Sequence, residues 1–358
     1  MNASARVPNA STAPDGQAGR GRHATAGFSD AFGERHLVFD PASGSSIEAL
    51  RFKKEFSDSA EFEAALRARV AQVGHLQHPS LATVQSVERT DEGLALLSRH
   101  VSGRRVSQLL PKAQGPAFAL ELIRLVTPAL AAIQRTGDGV AHGALSADRV
   151  VVTRDGRLVV VEHVLGSAID ALKLSRARLN DLGLVAPQGQ EPLVFDARSD
   201  MTQLGFIALE LLLGRRLNPA DYPDKVQGMF DEYVSGGSSP ILAGKIRGWL
   251  ERAMQISLRS FMSARDAHDA FGDLPDEMDV RISESGRSLL EFPSEPTPAP
   301  MPIPTIKNDR VVDERKPQSI HVVDERKPKL AVAPAPPAHV HAPEPLPAPI
   351  VQQAASRS

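Results

Sequence analysis

The chain has 358 residues, of which 42% are hydrophobic and 23% are charged, and its formal net charge is −2. This length and composition suit one large domain with a substantial core. A nearly neutral chain has no global basic field, so we expect neither nucleic acid nor an anionic membrane surface as a partner. There are no cysteines, which excludes disulfides, thiolate metal sites and cysteine nucleophiles.

No targeting or membrane segment is expected from the sequence. Residues 1–26 have no apolar run and predict a polar, disordered tail instead of a signal peptide. No stretch approaches the roughly 18 consecutive apolar residues that a membrane span needs. We therefore expect a soluble, cytoplasmic protein.

Strand patterns come first along the chain. Residues 36–39 and 47–52 flank a Ser-Gly-Ser-Ser turn at 43–46, which predicts a hairpin. The sequence Asp-Ser-Ala-Glu at 58–61 is typical of a helix N-terminus, and residues 94–101 form another apolar strand. These patterns predict a small region of strands with one helix.

Helical patterns dominate further on. Residues 118–134 carry apolar side chains at helical spacing and end before Gly137. Residues 204–213 are apolar nearly all round, as a buried helix is, and Gly214 ends them. The second region is therefore predicted to be larger and mainly helical.

Beyond Leu274 the composition changes to alternating proline and alanine, which favours extended chain and cannot form a packed core. We expect residues 276–358 to be disordered. The sequence Val-Val-Asp-Glu-Arg-Lys-Pro occurs there twice, from Val311 to Pro317 and from Val322 to Pro328. The two copies are either tandem docking motifs for a partner protein or a duplication in an unconstrained linker.

One loop carries a recognisable layout. His142-Gly-Ala-Leu-Ser-Ala-Asp-Arg149 is followed by an apolar strand at 158–161 and by Glu162-His-Val. This order resembles the catalytic loop of protein kinases, H-R-D-L-x-x-x-N, followed by D-F-G. Further segments resemble the family in the same order, namely His-Pro-Ser-Leu at 78–81, Ala-Pro-Gln at 186–188, the helix start at 195–205 and Arg-Ser-Phe at 259–261.

The resemblance covers about residues 27–275 and is to bacterial kinases of the eukaryote-like serine/threonine type. It implies an α+β, two-lobed protein-kinase-like fold, with a small antiparallel-sheet lobe plus one helix and a larger, mainly helical lobe. The implied division is a disordered tail at 1–26, the small lobe at 27–101, the large lobe at 102–275 and the disordered proline-rich tail at 276–358.

The residues at the catalytic positions of this resemblance are substituted. The general-base position is Ala144, which accepts no proton, and the metal-ligand position is Arg149, a cation that repels Mg²⁺. No catalytic residue is therefore assigned. Only Glu162, at the D-F-G position, keeps a carboxylate, and it would be the metal ligand if Mg²⁺ binds.

The resemblance also marks candidate nucleotide contacts. Gly33 remains from the glycine-rich loop, Arg51 takes the place of the phosphate-binding lysine, Ser98 and His100 belong to the hinge, and Glu162 faces the phosphates. Three alternatives stay open.

In the first alternative Gly33 is an ordinary turn glycine, and in the second the pocket beside Ser98 is filled by neighbouring side chains. In the third, Lys53 replaces Arg51, because both lie on one face of a strand. The glutamate that normally pairs with the lysine falls on Arg69, so two like charges would meet there.

Three residues, His142, Asp200 and Arg259, are expected to support the fold instead of the chemistry. The resemblance implies that Asp200 accepts hydrogen bonds from the backbone of the loop that contains His142. Arg259 is implied to meet Gln188, where the family has glutamate, so its ion pair becomes at most a charged-to-neutral hydrogen bond.

The substitutions predict a pseudokinase: a catalytically impaired kinase-like domain that acts as a regulatory or scaffolding module and contacts other proteins, such as an active kinase or its substrates. ATP, with or without Mg²⁺, is its only candidate cofactor. The alternative is an unconventional serine/threonine kinase that binds ATP through Arg51 or Lys53, binds metal through Glu162 and uses Asp148 as its base.

Overall fold

The computed structural model describes residues 25–40, 44–112, 115–189, 193–236 and 239–273. Most of the two predicted tails lies outside the described residues. The repeats at 311–317 and 322–328 lie outside them as well.

The first part of the fold is a five-stranded antiparallel sheet with the strand order β1-β2-β3-β5-β4. Its strands are β1 (Thr25–Ser29), β2 (Gly33–Asp40), β3 (Ser45–Phe52), β4 (Val84–Thr90) and β5 (Gly93–Arg99). A short helix α1 (Lys54–Ser57) and a longer helix α2 (Ala60–Val73) follow β3. The Ser59 hydroxyl accepts a hydrogen bond from the Phe62 amide, so α2 begins at the predicted capping sequence.

The second part is mainly helical. It contains a three-stranded sheet of β6 (Gly103–Arg105), β7 (Val150–Thr153) and β8 (Leu158–Val160). Its helices are α3 (Pro116–Gln134), α4 (Leu165–Ala171), α5 (Arg176–Asp181), α6 (Ala197–Leu213), α7 (Val226–Ser235), α8 (Pro240–Ala253) and α9 (Ala264–Asp269). Four 3₁₀ turns complete it, at Val106–Gln108, Ala147–Arg149, Pro219–Asp221 and Ala270–Asp273.

One continuous apolar core runs through both lobes, and α6 lies at its centre. The Asp196 carboxylate caps the start of α6 by accepting the amides of Arg198 and Ser199. Gly214 ends the helix in the left-handed conformation, with φ of 66°. A small antiparallel lobe beside a larger helical lobe confirms the predicted α+β, two-lobed fold.

Helix α3 is long and apolar enough, by length and composition alone, to cross a membrane. In an 18-residue window of this helix the mean hydropathy is 1.6, and 61% of the window is buried inside the domain. The helix packs against α6 and α9. Its apolar face therefore packs in the core. The sequence expectation that no segment reaches membrane-spanning length and hydropathy did not foresee this helix.

The loop that contains His142 is held close to α4 by two glycines. Gly143 has φ of +70°, and a Cβ at this position would lie 2.5 Å from the Gly166 Cα and 2.9 Å from the Phe195 Cβ. The Gly166 amide donates to the carbonyl of His142 at 3.0 Å. A side chain at Gly143 does not fit without displacing these neighbours.

We expect Gly143→Ala to lower the free energy of unfolding by about 2–4 kcal/mol, because it adds a steric clash to the left-handed backbone strain. Gly139→Ala is the matched control. Gly139 has φ of +68° but nothing within 4 Å of its added Cβ, so strain alone should cost about 1 kcal/mol. Urea unfolding measures both variants, and equal losses would contradict the steric account.

Candidate functional site

The two faces of the small-lobe sheet have different surroundings. Leu50 and Phe52 of β3 point to the inner face and join the main core, whereas Ala49 joins a separate cluster on the outer face. Arg35 of β2 lies directly opposite Leu50, so it also points inward, toward the large lobe. Arg51 is one residue from Leu50 and consequently points outward.

The structure therefore does not bring Arg51 to the cleft. Its guanidinium pairs with the Glu92 carboxylate at 2.5 Å, and both side chains are more than one-third exposed. The alternative cation, Lys53, is also exposed. Arg69 lies on α2 and does not oppose Arg51; burial lowers the pKa of its guanidinium, partly offset by Asp170 and Asp200. The predicted pair of like charges is not formed.

Four charged side chains meet between the lobes, and we call them the charge cluster: Asp30, Arg35, Arg149 and Glu162. The Arg35 Nε and Nη2 donate to the two Glu162 carboxylate oxygens at 2.5 and 2.8 Å. The Asp30 Oδ2 accepts from Arg35 at 3.0 Å and from Arg149 at 2.8 Å. Arg149 Nε also lies 3.0 Å from Glu162 Oε2, without the alignment of a hydrogen bond.

The charge cluster is almost fully withdrawn from water, with side-chain exposures of 1% for each arginine, 3% for Glu162 and 9% for Asp30. Burial by itself would raise the pKa of Glu162, but Arg35 and Arg149 lower it to about 2. The same two arginines hold the pKa of Asp30 far below its usual range against the effect of burial. Both carboxylates are thus ionised, and the two positive and two negative charges balance.

The turn between β1 and β2 is organised around Asp30. Its Oδ1 accepts the backbone amides of Phe32 and Gly33 at 2.9 and 3.2 Å. Backbone amides of such a loop are the groups that hold phosphate oxygens in nucleotide sites. In this structure one oxygen of the Asp30 carboxylate accepts both amides, and its other oxygen accepts from the two arginines.

Gly33 has a packing role in this turn. A Cβ on Gly33 would lie 1.9 Å from the carbonyl oxygen of Arg51, so the close approach of β2 to β3 requires glycine. Phe32 is fully buried, stacks on Phe56 with 5.3 Å between ring centroids and contacts the Arg149 guanidinium. The turn therefore folds inward and covers the charge cluster.

A second layer of contacts continues across the lobes from Arg105. Its Nη2 donates to the Glu48 carboxylate at 2.8 Å, and its Nη1 donates to the carbonyl of Asp148. Phe28 lies over both Arg105 and Arg35. These contacts join β1, β3 and the loop before β7.

The space that remains in this cleft is very small. A cavity of about 10 Å³ is lined by apolar side chains together with Glu48, Ser98, Arg99 and Glu162. Such a volume holds at most one water molecule, whereas sites for nucleotide-sized ligands need roughly 300 Å³ or more. Adenine does not fit beside Ser98 in this arrangement, and Glu162 has no oxygen free of an arginine for Mg²⁺.

The remaining hinge candidate, His100, points away from this cavity. Its ring lies 3.6 Å from the Glu48 carboxylate and lines a different, rear pocket. Among the described residues, no group of three or more acidic or histidine side chains could hold a metal ion. The structure thus brings Ser98 and Glu162 together and leaves Gly33, Arg51 and His100 elsewhere.

The loop around His142 keeps a precise shape. Asp200 accepts the backbone amides of His142 at 3.1 Å and Gly143 at 2.8 Å. Gln203 accepts the amide of Leu145 at 2.8 Å and donates to the carbonyl of Gly143 at 2.9 Å. Burial raises the pKa of Asp200 to about 6, which these hydrogen bonds partly offset. His142 and Asp200 therefore have the contacts expected of supporting residues.

The base position lies inside this scaffold. Ala144 is fully buried, and its amide donates to Nδ1 of His142 at 3.2 Å. The alternative base, Asp148, accepts from Arg216 at 2.9 Å and is 17% exposed. A hydroxyl substrate cannot reach Ala144, and the carboxylate of Asp148 is already paired.

Arg259 does not have the position expected of a supporting residue. Its side chain is exposed in the loop before α9, as is Gln188. Arg176 instead donates to the carbonyls of Ala186 and Pro187 at 2.8 and 3.0 Å. The segment before Gln188 is therefore held through two of its backbone carbonyls.

Three residues of this site were not recognised in the sequence: Asp30, Arg35 and Gln203. Arg35 lies between Glu34 and His36 in β2, so strand alternation directs its side chain to the opposite face from theirs. Assigning it required the register with β3, which sequence alone did not give.

The fold is similar to that of a protein kinase domain, and the charge cluster fills the cleft between its lobes. The kinase domain of Mycobacterium tuberculosis PknI has a similar solved structure, with a TM-score of 0.55 and 23% identity over 72% of this chain and 99% of that domain. No protein-family model matches the chain.

Curated relatives agree. Serine/threonine-protein kinase PknH of M. tuberculosis is 24% identical over 69% of the chain. In sequence the chain is similar to bacterial serine/threonine protein kinases, and in fold it is similar to a kinase domain. A probable serine/threonine-protein kinase of Corynebacterium efficiens is 20% identical over 77% of the chain, and PrkC of Bacillus subtilis is 20% identical over 48%. The chain spans 41%, 43% and 26% of the lengths of these relatives, respectively.

Breaking the charge cluster should destabilise this kinase fold. We expect Glu162→Gln to lower the free energy of unfolding by about 3–5 kcal/mol, because it leaves two buried arginines with one carboxylate. Glu92→Gln is the matched control, since the Arg51–Glu92 pair has the same 2.5 Å separation at the surface; it should cost at most about 1 kcal/mol. Chemical denaturation distinguishes them, and a loss below that of Glu92→Gln would refute the account.

A second prediction concerns His163, which is buried with no hydrogen-bond partner for either ring nitrogen. Burial lowers its pKa from 6.5 to about 4. As pH falls below about 6.5 the unfolded chain gains a proton that the folded chain refuses, so stability falls until about pH 4.

We therefore expect His163→Phe to reduce the stability loss between about pH 7.5 and pH 5 by about 2 kcal/mol. Denaturant unfolding at the two pH values gives this difference independently of any change at neutral pH. His268→Phe, at an exposed position, is the control. An unchanged pH dependence in His163→Phe would show that His163 is not the source.

Proposed function

We propose that this kinase-fold domain does not transfer phosphate and acts as a regulatory or scaffolding module through contacts with other proteins. The observation that carries this proposal is the charge cluster, which occupies the nucleotide cleft and leaves a cavity of about 10 Å³. A binding module of this kind uses the fold for its surfaces.

The substitutions in the loop support the same conclusion. Phosphoryl transfer in this family depends on a positioned base and on metal ions that neutralise the phosphates. The base position is the buried methyl group of Ala144, and the metal-ligand position is Arg149, whose charge is directed at the carboxylates of Asp30 and Glu162. An arginine there neutralises Glu162 without any metal.

Opening the cleft for ATP would be costly. The nucleotide phosphates would have to displace Asp30 from the two loop amides and from both arginines, while Glu162 stays paired. Separating buried, hydrogen-bonded charges costs several kcal/mol in each case. Nucleotide binding would therefore compete with contacts that the chain already makes within itself.

The second candidate is an unconventional serine/threonine kinase. It is favoured by the names of the relatives, which are serine/threonine kinases, and by the retained carboxylate of Glu162. It requires Glu162 to leave both arginines and Asp148 to leave Arg216. We rank it below the module for that reason.

The proposed partners are proteins, such as an active kinase or its substrates. The repeats from Val311 to Pro317 and from Val322 to Pro328 remain candidate docking motifs, and a cytoplasmic location remains our proposal. We propose no role for nucleic acid, since the formal net charge is −2.

The deciding experiment is a thermal-shift titration of the full chain with ATP, with and without Mg²⁺, beside an assay of γ-phosphate transfer to a general protein substrate. A ligand that binds the folded state raises the melting temperature by mass action. We expect no shift under either condition and no transfer. Ala144→Asp places a carboxylate at the base position and leaves all four charges of the charge cluster in place, so it should still transfer nothing because the cleft remains closed.

Two outcomes would overturn the proposal. Phosphate transfer at ordinary kinase rates would show an active enzyme. A Mg²⁺-dependent shift that Glu162→Ala abolishes and Glu92→Ala leaves intact would favour the unconventional kinase. Circular dichroism of every variant establishes that it is folded before its result is read.

A further inference from the structure

The outer face of the small-lobe sheet carries a wide groove. We call it the outer groove; its volume is about 640 Å³, and it crosses the sheet from Val38 on β2 to Ser86 on β4. Ala49 and Ala95 lie in its floor, where a single methyl group is all that each strand presents, and Leu97 lies directly opposite Ala49. The floor is therefore both apolar and sunken, with a volume in the range of binding pockets.

The rim of the outer groove is acidic. Four charged residues line it, namely Arg51, Glu88, Asp91 and Glu92. Arg51 and Glu92 neutralise each other in their surface pair. Glu88 and Asp91 are exposed, and neither carboxylate has a partner among the described residues. The groove thus has two negative charges in excess beside its apolar floor.

The loop between α8 and α9 has the opposite properties. We call residues 256–262 the Leu258 loop. Leu258 is fully exposed, with a relative exposure of 108%, and Met262 is 60% exposed. Arg259 is the single charged residue of this loop. Its side chain is exposed, and its guanidinium has no partner within the described part of the chain. The loop therefore projects an apolar side chain next to a free cation.

The Leu258 loop is held in this shape by the residues behind it. The Arg252 Nε donates to the carbonyl of Arg259 at 2.9 Å. The guanidinium of Arg252 also lies over the ring of the buried Phe261, 4.1 Å from its centroid. Gln255 Nε2 donates to the carbonyl of Phe261 at 2.8 Å. Because the loop is fixed before any contact forms, little conformational entropy is lost when Leu258 is bound.

The two surfaces are complementary, but they do not meet within one molecule. The outer groove belongs to the small lobe, whereas the Leu258 loop follows α8 of the large lobe. The full exposure of Leu258 places it outside the groove of its own chain. A projecting leucine beside a cation matches a sunken apolar floor beside free carboxylates in shape and in charge. The partner that carries this loop is a second copy of the chain.

We propose that the Leu258 loop of one molecule binds in the outer groove of a second molecule, with Leu258 on the alanine floor and Arg259 at the two free carboxylates. Because the two surfaces differ, a bound pair keeps one free loop and one free groove, and further molecules can add. A contact of this size is weak, so assembly depends on concentration. It uses no residue of the charge cluster and does not depend on whether the domain transfers phosphate.

Sedimentation velocity of the full chain at increasing concentration tests this proposal. We expect the weight-average sedimentation coefficient to rise at least about 1.3-fold between about 10 and about 500 µM, with species larger than a dimer. Leu258→Asp and Arg259→Glu should each abolish the rise. Ile241→Asp is the matched apolar control, since Ile241 is 75% exposed on α8. Lys112→Glu, at an exposed lysine outside both surfaces, is the charge control. Both controls should keep the rise.

Mixing two charge-reversed chains identifies the two surfaces directly. Glu88→Lys/Asp91→Lys should also abolish assembly, because a cationic groove repels Arg259. An equimolar mixture of this chain with the Arg259→Glu chain should assemble again, since each groove then meets a loop of opposite charge. Neither chain should assemble alone. Restoration in the mixture also shows that the reversals did not damage either surface.

Four outcomes would overturn the proposal. The first is a sedimentation coefficient of the unaltered chain that does not rise with concentration. The second is a rise that survives Leu258→Asp or Arg259→Glu, and the third is a mixture that stays monomeric. Assembly that stops at a dimer is the fourth, because it would show a symmetric interface. Circular dichroism of each variant establishes that it is folded before its sedimentation is interpreted.

Discussion

The placement of the two lobes depends on four buried charges that need one another. Asp30 and Arg35 come from the small lobe, whereas Arg149 and Glu162 come from the large lobe, and each charge has a partner across the boundary. A single one of them, buried alone, would cost several kcal/mol. The four together have no net charge, so the lobes are held in the one arrangement that keeps all of them paired.

This arrangement explains why neighbouring residues look as they do. Phe32 packs against the Arg149 guanidinium, and Gly33 lets β2 approach β3 closely enough to aim Arg35 inward. In the large lobe, Asp200 and Gln203 hydrogen-bond to the backbone of Gly143. They thereby fix the loop that leads to Arg149. Residues that resemble remains of a catalytic site thus form a complete structural unit.

Much of the fold could be predicted from the sequence, because helix spacing, caps and turns are local signals. The capping sequence before α2 and the apolar helix that ends at Gly214 are where these signals placed them. The site could be predicted less well. A shift of one residue reverses the face of a strand, so Arg51 looked like a cleft residue while Arg35 is one. The role of Asp30 depends in part on Arg149, 119 residues further along the chain, which no local pattern reveals.

The carboxylate of Asp30 differs from a bound nucleotide in one respect that concerns the cell. Because this carboxylate belongs to the chain, its presence at the loop amides does not depend on the concentration of any metabolite. If the domain binds no nucleotide, as proposed, its conformation does not depend on the ATP concentration. Under the proposed function, its surfaces would be presented in proportion to the amount of protein made, and energy depletion would leave them unchanged.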